Sequence, residues 1–280
     1  MDFPQEVLSP LRVRCHARST WGTHMELFIH SDPSALGRAA GTESGDLIAA
    51  TLRSQGQARI VLATGASQFA TLDTLVARTD IDWSRVDCFH LDEYVGLPAT
   101  HPASFRCYLR ERFLAHVGAL RSFHAIVGET NDPARECARL GALIRTEPID
   151  VLLLGIGENA HLAFNDPPAD CTTTEPYLVV DLDERCRRQQ VGESWFADLA
   201  AVPRQAISMS VRHMLSARTV VGSVPDARKA AALHASIESP LTPLAPGSYL
   251  RQHPHCSLHV DAAAAALLAR ATRANGKPQG

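Results

Sequence analysis

A doubly wound α/β domain, with a mostly parallel sheet and helices on both faces, is the fold class this sequence predicts, and three observations predict it. Short apolar runs alternate with longer stretches of helical periodicity, the signature of repeated strand–helix units. One run, PIDVLLLGIG (148–157), holds four consecutive apolar residues between Pro148 and Gly155, which suits a strand buried on both faces at the centre of a sheet. Glycines stand directly after two of the runs, at Gly65 and at Gly155 and Gly157, where strand-to-helix turns of such folds lie.

The elements follow in order. MELFIH (25–30) reads as a strand, Ser31-Asp32-Pro33-Ser34 supplies turn and capping chemistry, and a helix is expected near 45–54. ARIVLAT (58–64) is a strand followed by Gly65-Ala66-Ser67 and a helix through about Ala77, and VDCFHLDEY (86–94) is a strand running into a loop. An amphipathic helix is placed near 103–116, a short strand at FHAIVG (123–128), and a helix from Asp132-Pro133 through about Arg145. After the 148–157 strand, YLVVDLD (177–183), AISMSV (206–211), TVVGSV (219–224) and CSLHVD (256–261) are strands, with a helix at 226–237. AAAAALLAR reads as a C-terminal helix. No repeat or linker divides the chain, so 23–272 is read as one domain, 1–22 as an N-terminal extension without periodicity and 273–280 as a frayed tail.

Composition narrows the function classes. Hydrophobic residues at 45% and charged residues at 20% are ordinary globular usage, and a net charge of −3 supplies no basic field for nucleic acid. No apolar run approaches the roughly 20 residues that span a bilayer, so no membrane partner is expected. The seven cysteines are scattered without a C-x-x-C pair, which suits reduced thiols and a cytoplasmic setting rather than a zinc or disulfide framework. Self-association is left open.

In doubly wound sheets ligands bind beyond the carboxyl ends of the strands, and three segments there carry polar chemistry. Thr64-Gly65-Ala66-Ser67 offers backbone N–H groups and two hydroxyls to an anion, although the same loop is equally a tight turn with a serine cap. Asp92-Glu93 ends a strand and could supply a general base, or form a solvated turn. Gly155 to Pro167 matches a dinucleotide G-x-G-x-x-A at Gly155, Gly157 and Ala160, but Asp166-Pro167-Pro168 leaves too little helix for that cofactor. Its glycines, His161 and Asp166 suggest instead a loop presenting an imidazole acid/base beside a carboxylate.

Two of these segments carry a resemblance. LDEYVGLPATHPASF (91–105) resembles the LDEYVGLP-x-x-HP-x-S-[YF] segment of glucosamine-6-phosphate deaminases, and GIGENAHLAFNDP (155–167) is similar to their G-[IV]-G-x-D-G-H-I-A-F-N-E-P loop. The resemblance implies a Rossmann-like enzyme that isomerises a 2-amino-aldose phosphate to a ketose phosphate and releases ammonia, without metal or organic cofactor. By matching position it implies Asp92 as the proton carrier between C2 and C1, and His161, with Asn159 and Asp166 around it, as the group that assists ring opening. It also implies a phosphate site at Gly65, Ala66, Ser67 and Lys229.

The chain departs from the family pattern at several points. Asn159 replaces the family Asp, Ala160 the Gly and Asp166 the Glu, and an amide can orient the imidazole without acting as its anionic partner. The family's phosphate-binding arginine falls on Gln190, which leaves Arg185, Arg187 or Arg188 to substitute; Arg185 and Arg188 are the candidates carried forward with Lys229. Two alternatives accompany this reading. One is a 6-phosphogluconolactonase-like hydrolase, whose family uses a similar fold but a DER-x-V-P strand-end motif. The other is a sugar-phosphate-binding protein with weakened catalysis.

Overall fold

The computed structural model describes residues 13–14 and 25–274. In chain order its regular elements are β1 (Val13–Arg14), β2 (Met25–His30), α1 (Pro33–Gln55), β3 (Ala58–Leu62), α2 (Phe69–Val76), β4 (Val86–His90), β5 (Asp92–Tyr94), α3 (Phe105–Leu109) and β6 (Ser122–His124). They continue with α4 (Pro133–Ile144), β7 (Val151–Leu154), β8 (Tyr177–Asp181), α5 (Glu184–Gly192), β9 (Gln205–Met209) and α6 (Val211–Met214). The last are β10 (Thr219–Val224), α7 (Ala230–Ile237), β11 (Cys256–Asp261) and α8 (Arg270–Ala274).

The main sheet has the order β1-β2-β11-β10-β7-β3-β4-β6, parallel throughout except for β1, which pairs antiparallel with β2. Of the expected N-terminal extension, Val13–Arg14 therefore joins the sheet edge; the remainder of 1–22, and the tail from 275 on, lie outside the described residues. β7 sits at the centre, and its residues alternate between two cores. Leu152 and Leu154 join Val61 and the α4 side chains on one face, whereas Val151 and Leu153 join Ile60, Leu62, Leu72 and Ile48 on the other. A strand buried on both faces has no polar alternation to show, which is why its apolar run is continuous.

Several elements differ from the sequence reading, each for a physical reason. Expected strand 86–94 breaks at Leu91. Its backbone N–H still bonds Leu62 O at 3.2 Å, but its carbonyl accepts from Met209 N at 2.7 Å, so the chain leaves the main sheet there. β5 then pairs with β9, and β9 with β8, in a separate three-stranded antiparallel sheet, so 177–183 and 206–211 form strands outside the parallel sheet. This small sheet covers its own aromatic core of Tyr94, Phe105, Phe164 and Phe196.

Helix α1 starts at the Asp32 cap, a full three turns before the expected 45. Gly37, Gly41 and Gly45 lower intrinsic helix propensity, but they form the stripe on which α2 lies: a Cβ at Gly37 would stand 2.2 Å from Ala70 Cβ, and one at Gly41 2.5 Å from Thr71 O. Tertiary packing overrides propensity here. The expected 103–116 helix is α3 followed by one π-turn, Arg110–Leu114. The alanine-rich C-terminal stretch makes a 3-10 turn at Ala264–Leu267, then α8, because Ala264, Ala265 and Leu268 are buried against the core. Helix α5, unassigned in the sequence, is capped by Asp183, whose carboxylate accepts from Cys186 N at 2.6 Å.

The glycine stripe yields a test: Gly37→Ala should force α1 and α2 apart and destabilise the fold by about 1–3 kcal/mol, the range for an overpacked contact. Denaturant unfolding of the variant beside wild type measures it, with an exposed α1 substitution such as Arg38→Ala as the unaffected control.

Candidate active site

The chain runs outward from β3 to β4 and β6, then returns to β7 on the other side of β3 and continues to β10 and β11. The junction of β3 and β7 is therefore the topological switch point, and a crevice at its carboxyl end is the ligand site such folds provide. A cleft lies there, lined by Thr64, Gly65, Ala66 and Ser67 after β3, Asp92 at β5, Gly155, Gly157 and His161 after β7, Gln189, Gln190 and Glu193 on and after α5, and Lys229 after β10. The three segments singled out in the sequence converge on one site.

Asp92 and Glu93 divide their work by strand alternation. Asp92 faces the cleft and is 6% exposed; burial, then the neighbouring Glu93 charge, raises its carboxyl well above the usual aspartate range. Glu93 points away, is completely buried, and accepts five hydrogen bonds: from Tyr94 N, Ser104 Oγ, Phe105 N, Arg106 N and Arg106 Nε, at 2.7–3.2 Å. Arg106 also pairs with Glu129 and donates to Leu97 O. Neither reading of an isolated acidic pair anticipated this split. A second residue absent from the sequence reading, His90, ties Asp92 from behind. Its Nε2 accepts Ile126 N at 2.9 Å, so Nδ1–H donates to Asp92 O at 2.9 Å, and burial holds the ring neutral by lowering its pKa to about 3.

The anionic partner of His161 is Asp166, whose Oδ1 lies 2.9 Å from Nδ1. Burial works against the Asp166 charge, but hydrogen bonds from His161 and Asn159 and from Asp183 N outweigh it and lower the pKa. With Asp166 ionised, Nδ1–H donates and Nε2 is free to act in the cleft. Asn159 takes a different place from the one its family position suggests: its amide donates to Asp166 Oδ1 at 3.1 Å and Asp183 Oδ2 at 3.2 Å, and its Oδ1 accepts the His161 backbone N–H at 3.2 Å. A neutral amide here bridges two carboxylates. Ala160 keeps a left-handed φ of 68°, the conformation that favours glycine, and Gly157 is required by contact, since its Cβ would lie 2.0 Å from His161 Nε2.

At the anion end, Gly65 (φ 93°) turns the chain into a 3-10 turn at Ala66–Gln68 and then α2, and Tyr108 Oη donates to Gly65 O at 3.1 Å. Lys229 is 5% exposed with no hydrogen-bond partner for its ammonium among the described residues; burial lowers its pKa, against the pull of Glu193 and Glu158. The arginine candidates are corrected by helical phase. On α5, Cys186 and Gln190 face inward, four residues apart, so Arg185 and Arg188 are exposed on the outer side, Arg188 paired with Glu184. Arg187 is spent on the carbonyls of Leu199 and Val202. Gln190, inward, accepts from Tyr94 Oη at 2.9 Å. The Asp-Glu-Arg start of this charged run was an N-cap signal for α5, from which this phase could have been read.

Among the described residues, His161, Asp166 and Cys186 are the one grouping of metal-ligating type, with donor atoms within 4.8 Å of one another. The His161 and Asp166 atoms are already bonded to each other, and burial keeps the Cys186 thiol protonated.

Fold and site together define a doubly wound α/β protein with an acid/base cleft at its switch point. The chain belongs to the family described as glucosamine-6-phosphate isomerases/6-phosphogluconolactonase, whose model matches residues 31–258. It is 32% identical over 246 residues to a glucosamine-6-phosphate deaminase of Lactobacillus delbrueckii subsp. bulgaricus, covering 87% of this chain and all of that protein. To the deaminase of Exiguobacterium sibiricum it is 35% identical over 227 residues, 78% of this chain and 84% of the relative. Among solved structures, a monomeric glucosamine-6-phosphate deaminase superposes with a TM-score of 0.78 at 26% identity, over 86% of this chain and 99% of that one. The 6-phosphogluconolactonase of Trypanosoma brucei shares the fold, with a TM-score of 0.71 at 19% identity over 87% and 98% of the two chains.

Two variants test the site's construction. Gly157→Ala should displace the His161 ring and lower kcat on the order of 10²-fold, the cost of misplacing a reacting group by about an ångström; thermal unfolding run alongside should remain cooperative. Glu93→Gln should instead cost stability, about 3–5 kcal/mol, because it breaks a buried pair with Arg106. Denaturant titration reads that loss.

Proposed function

We propose that this protein is a glucosamine-6-phosphate deaminase-like enzyme, a hydrolase of a carbon–nitrogen bond that works by aldose–ketose isomerisation. The substrate is a 2-amino-hexose 6-phosphate, and the products are fructose 6-phosphate or an analogue and ammonia. The observation that carries the reading is that Asp92 and His161 line one cleft together with Gly65, Ala66, Ser67 and Lys229. A cytoplasmic setting, where cysteines stay reduced, goes with it; the six cysteines of the described residues are free thiols.

The chemistry divides among the named groups. His161 Nε2, oriented through Nδ1 by Asp166, exchanges a proton with the ring oxygen as the pyranose opens. Asp92 takes the proton from C2 and returns it to C1, which leaves an imine at C2; water adds to that carbon and ammonia departs, so one water enters, one ammonia leaves and the C2 ketone remains. Asn159 holds the two carboxylates and the His161 backbone together. The phosphate is received by the turn at Gly65–Ser67 and by the Lys229 ammonium, a point charge that a dianion suits. Asp92-Glu93-Tyr94-Val95-Gly96-Leu97-Pro98 follows the deaminase strand-end form, which favours ammonia release over lactone hydrolysis.

A panel of 2-amino-2-deoxyhexose 6-phosphates, plain aldose phosphates and a 6-phosphogluconolactone, assayed for ammonia, ketose phosphate and lactone loss, tests the reading. Ammonia with ketose phosphate is the expected result; lactone hydrolysis alone, or binding without turnover, would replace it. Asp92→Asn should lower kcat about 10²- to 10⁴-fold, the range for a positioned general base. The same variant should be more stable than wild type at neutral pH. A carboxyl raised by burial favours folding while protonated and loses that contribution as pH rises through its folded pKa, and the amide removes the loss. For the same reason the acidic limb of wild-type kcat/KM should lie above the ordinary aspartate value of 3.8.

A further inference from the structure

With Arg185 and Arg188 outside the cleft and Gln189, Gln190 and Glu193 on its wall, Lys229 is the one fixed cation among the described lining residues. A phosphate bearing up to two charges, in a cleft that Glu193 also lines, is poorly matched by one desolvated ammonium. The residue that completes the match lies next to it in the chain. Arg228 is half-exposed, and its guanidinium spans Asp226, at 3.0 Å, and Glu158, at 3.6 Å. Glu158 stands directly after Gly157, and Arg228 directly before Lys229, both neighbours being lining residues, so this guanidinium links the two loops just outside the cleft lining.

The segment that holds it is constrained. Asp226 adopts a left-handed φ of 86° with its carboxylate accepting from Arg228 N at 3.0 Å and Nε at 3.1 Å, while its own N–H is bonded by Asp261 at the end of β11. Four non-glycine residues have positive φ in the described chain: Ala160, Ala163, Ser194 and Asp226. All four lie in the segments that build the cleft, where strain persists because surrounding bonds over-determine it. The Asp226 contact is close, with two guanidinium nitrogens sharing its Oδ2, whereas the Glu158 contact is long.

We propose that Arg228 is the second phosphate-binding cation of this site: its guanidinium stays on Asp226, releases Glu158, and takes the substrate phosphate together with Lys229. This rests on the sugar-phosphate reading above and adds to it a residue that controls preference for a phosphorylated substrate. Glu158 then competes with the phosphate for the same guanidinium, so removing either charge moves affinity in opposite directions.

The experiment measures inorganic phosphate binding by calorimetry, and steady-state kinetics on glucosamine 6-phosphate, for wild type, Arg228→Ala, Glu158→Gln and Arg188→Ala. Arg228→Ala should weaken phosphate binding and raise KM by about 10- to 100-fold, the worth of a charge-assisted hydrogen bond, with kcat within about twofold as expected for a remote binding contact. Glu158→Gln should tighten phosphate binding several-fold, and Arg188→Ala should match wild type. Unchanged phosphate affinity in Arg228→Ala, or no tightening in Glu158→Gln, would overturn the proposal. Absence of ammonia from every protein would overturn the catalytic reading instead, and the calorimetric arm would still decide the role of Arg228.

Discussion

The buried carboxylate of Glu93 is the interaction on which the site's geometry rests. A fully buried charge is tolerated only where donors replace its water, and here three backbone N–H groups, a hydroxyl and the Arg106 guanidinium do so. Those donors come from β5 itself and from the start of α3, so one carboxylate joins the strand to the helix that follows it. Because successive strand residues point to opposite sides, fixing Glu93 inward fixes Asp92 toward the cleft. His90 then locks the Asp92 carbonyl to the segment after β6. The Asp92 carboxyl has no such donors, and burial beside the Glu93 charge leaves it desolvated and raised.

That arrangement explains why two adjacent acidic residues differ so sharply in environment. Glu93 is surrounded by donors, whereas Asp92 has burial and a like charge beside it. The second carboxylate of the site, Asp166, is treated in the contrary way, with donors from His161, Asn159 and Asp183 N keeping it ionised. One carboxyl is therefore left buried beside a like charge, which raises its pKa, and the other is kept as a fixed charge that orients an imidazole. Separation of environments is how like groups acquire unlike roles.

Much of this was legible in the sequence. The central strand, the switch-point loops and the residues Asp92, His161 and Asp166 follow from apolar runs and the polar segments behind them, Lys229 follows only from the family resemblance, and all four residues line the cleft or touch a residue that does. Other features were not. The departure of the chain from the main sheet at Leu91 leaves no mark in the residue pattern, because β4 and β5 read on as one run, VDCFHLDEY. The length of α1 is hidden because glycines that weaken an isolated helix are the ones that admit α2. The misplaced arginines share one cause: without α5 assigned, three arginines in four positions, Arg185 to Arg188, carry no phase. Three of these positions are arginine besides the buried Cys186, and only the helix decides that none of them reaches the cleft.

The central claim is that one buried carboxyl carries the proton from C2 to C1. Turnover of glucosamine 6-phosphate deuterated at C2, with the product analysed by NMR, tests it most directly. At 6% exposure Asp92 is shielded from solvent, so the account predicts deuterium at C1 of the ketose phosphate, and that product formed about 10²- to 10⁴-fold more slowly by Asp92→Asn. Product formed at the wild-type rate by Asp92→Asn, with label still transferred to C1, would contradict it.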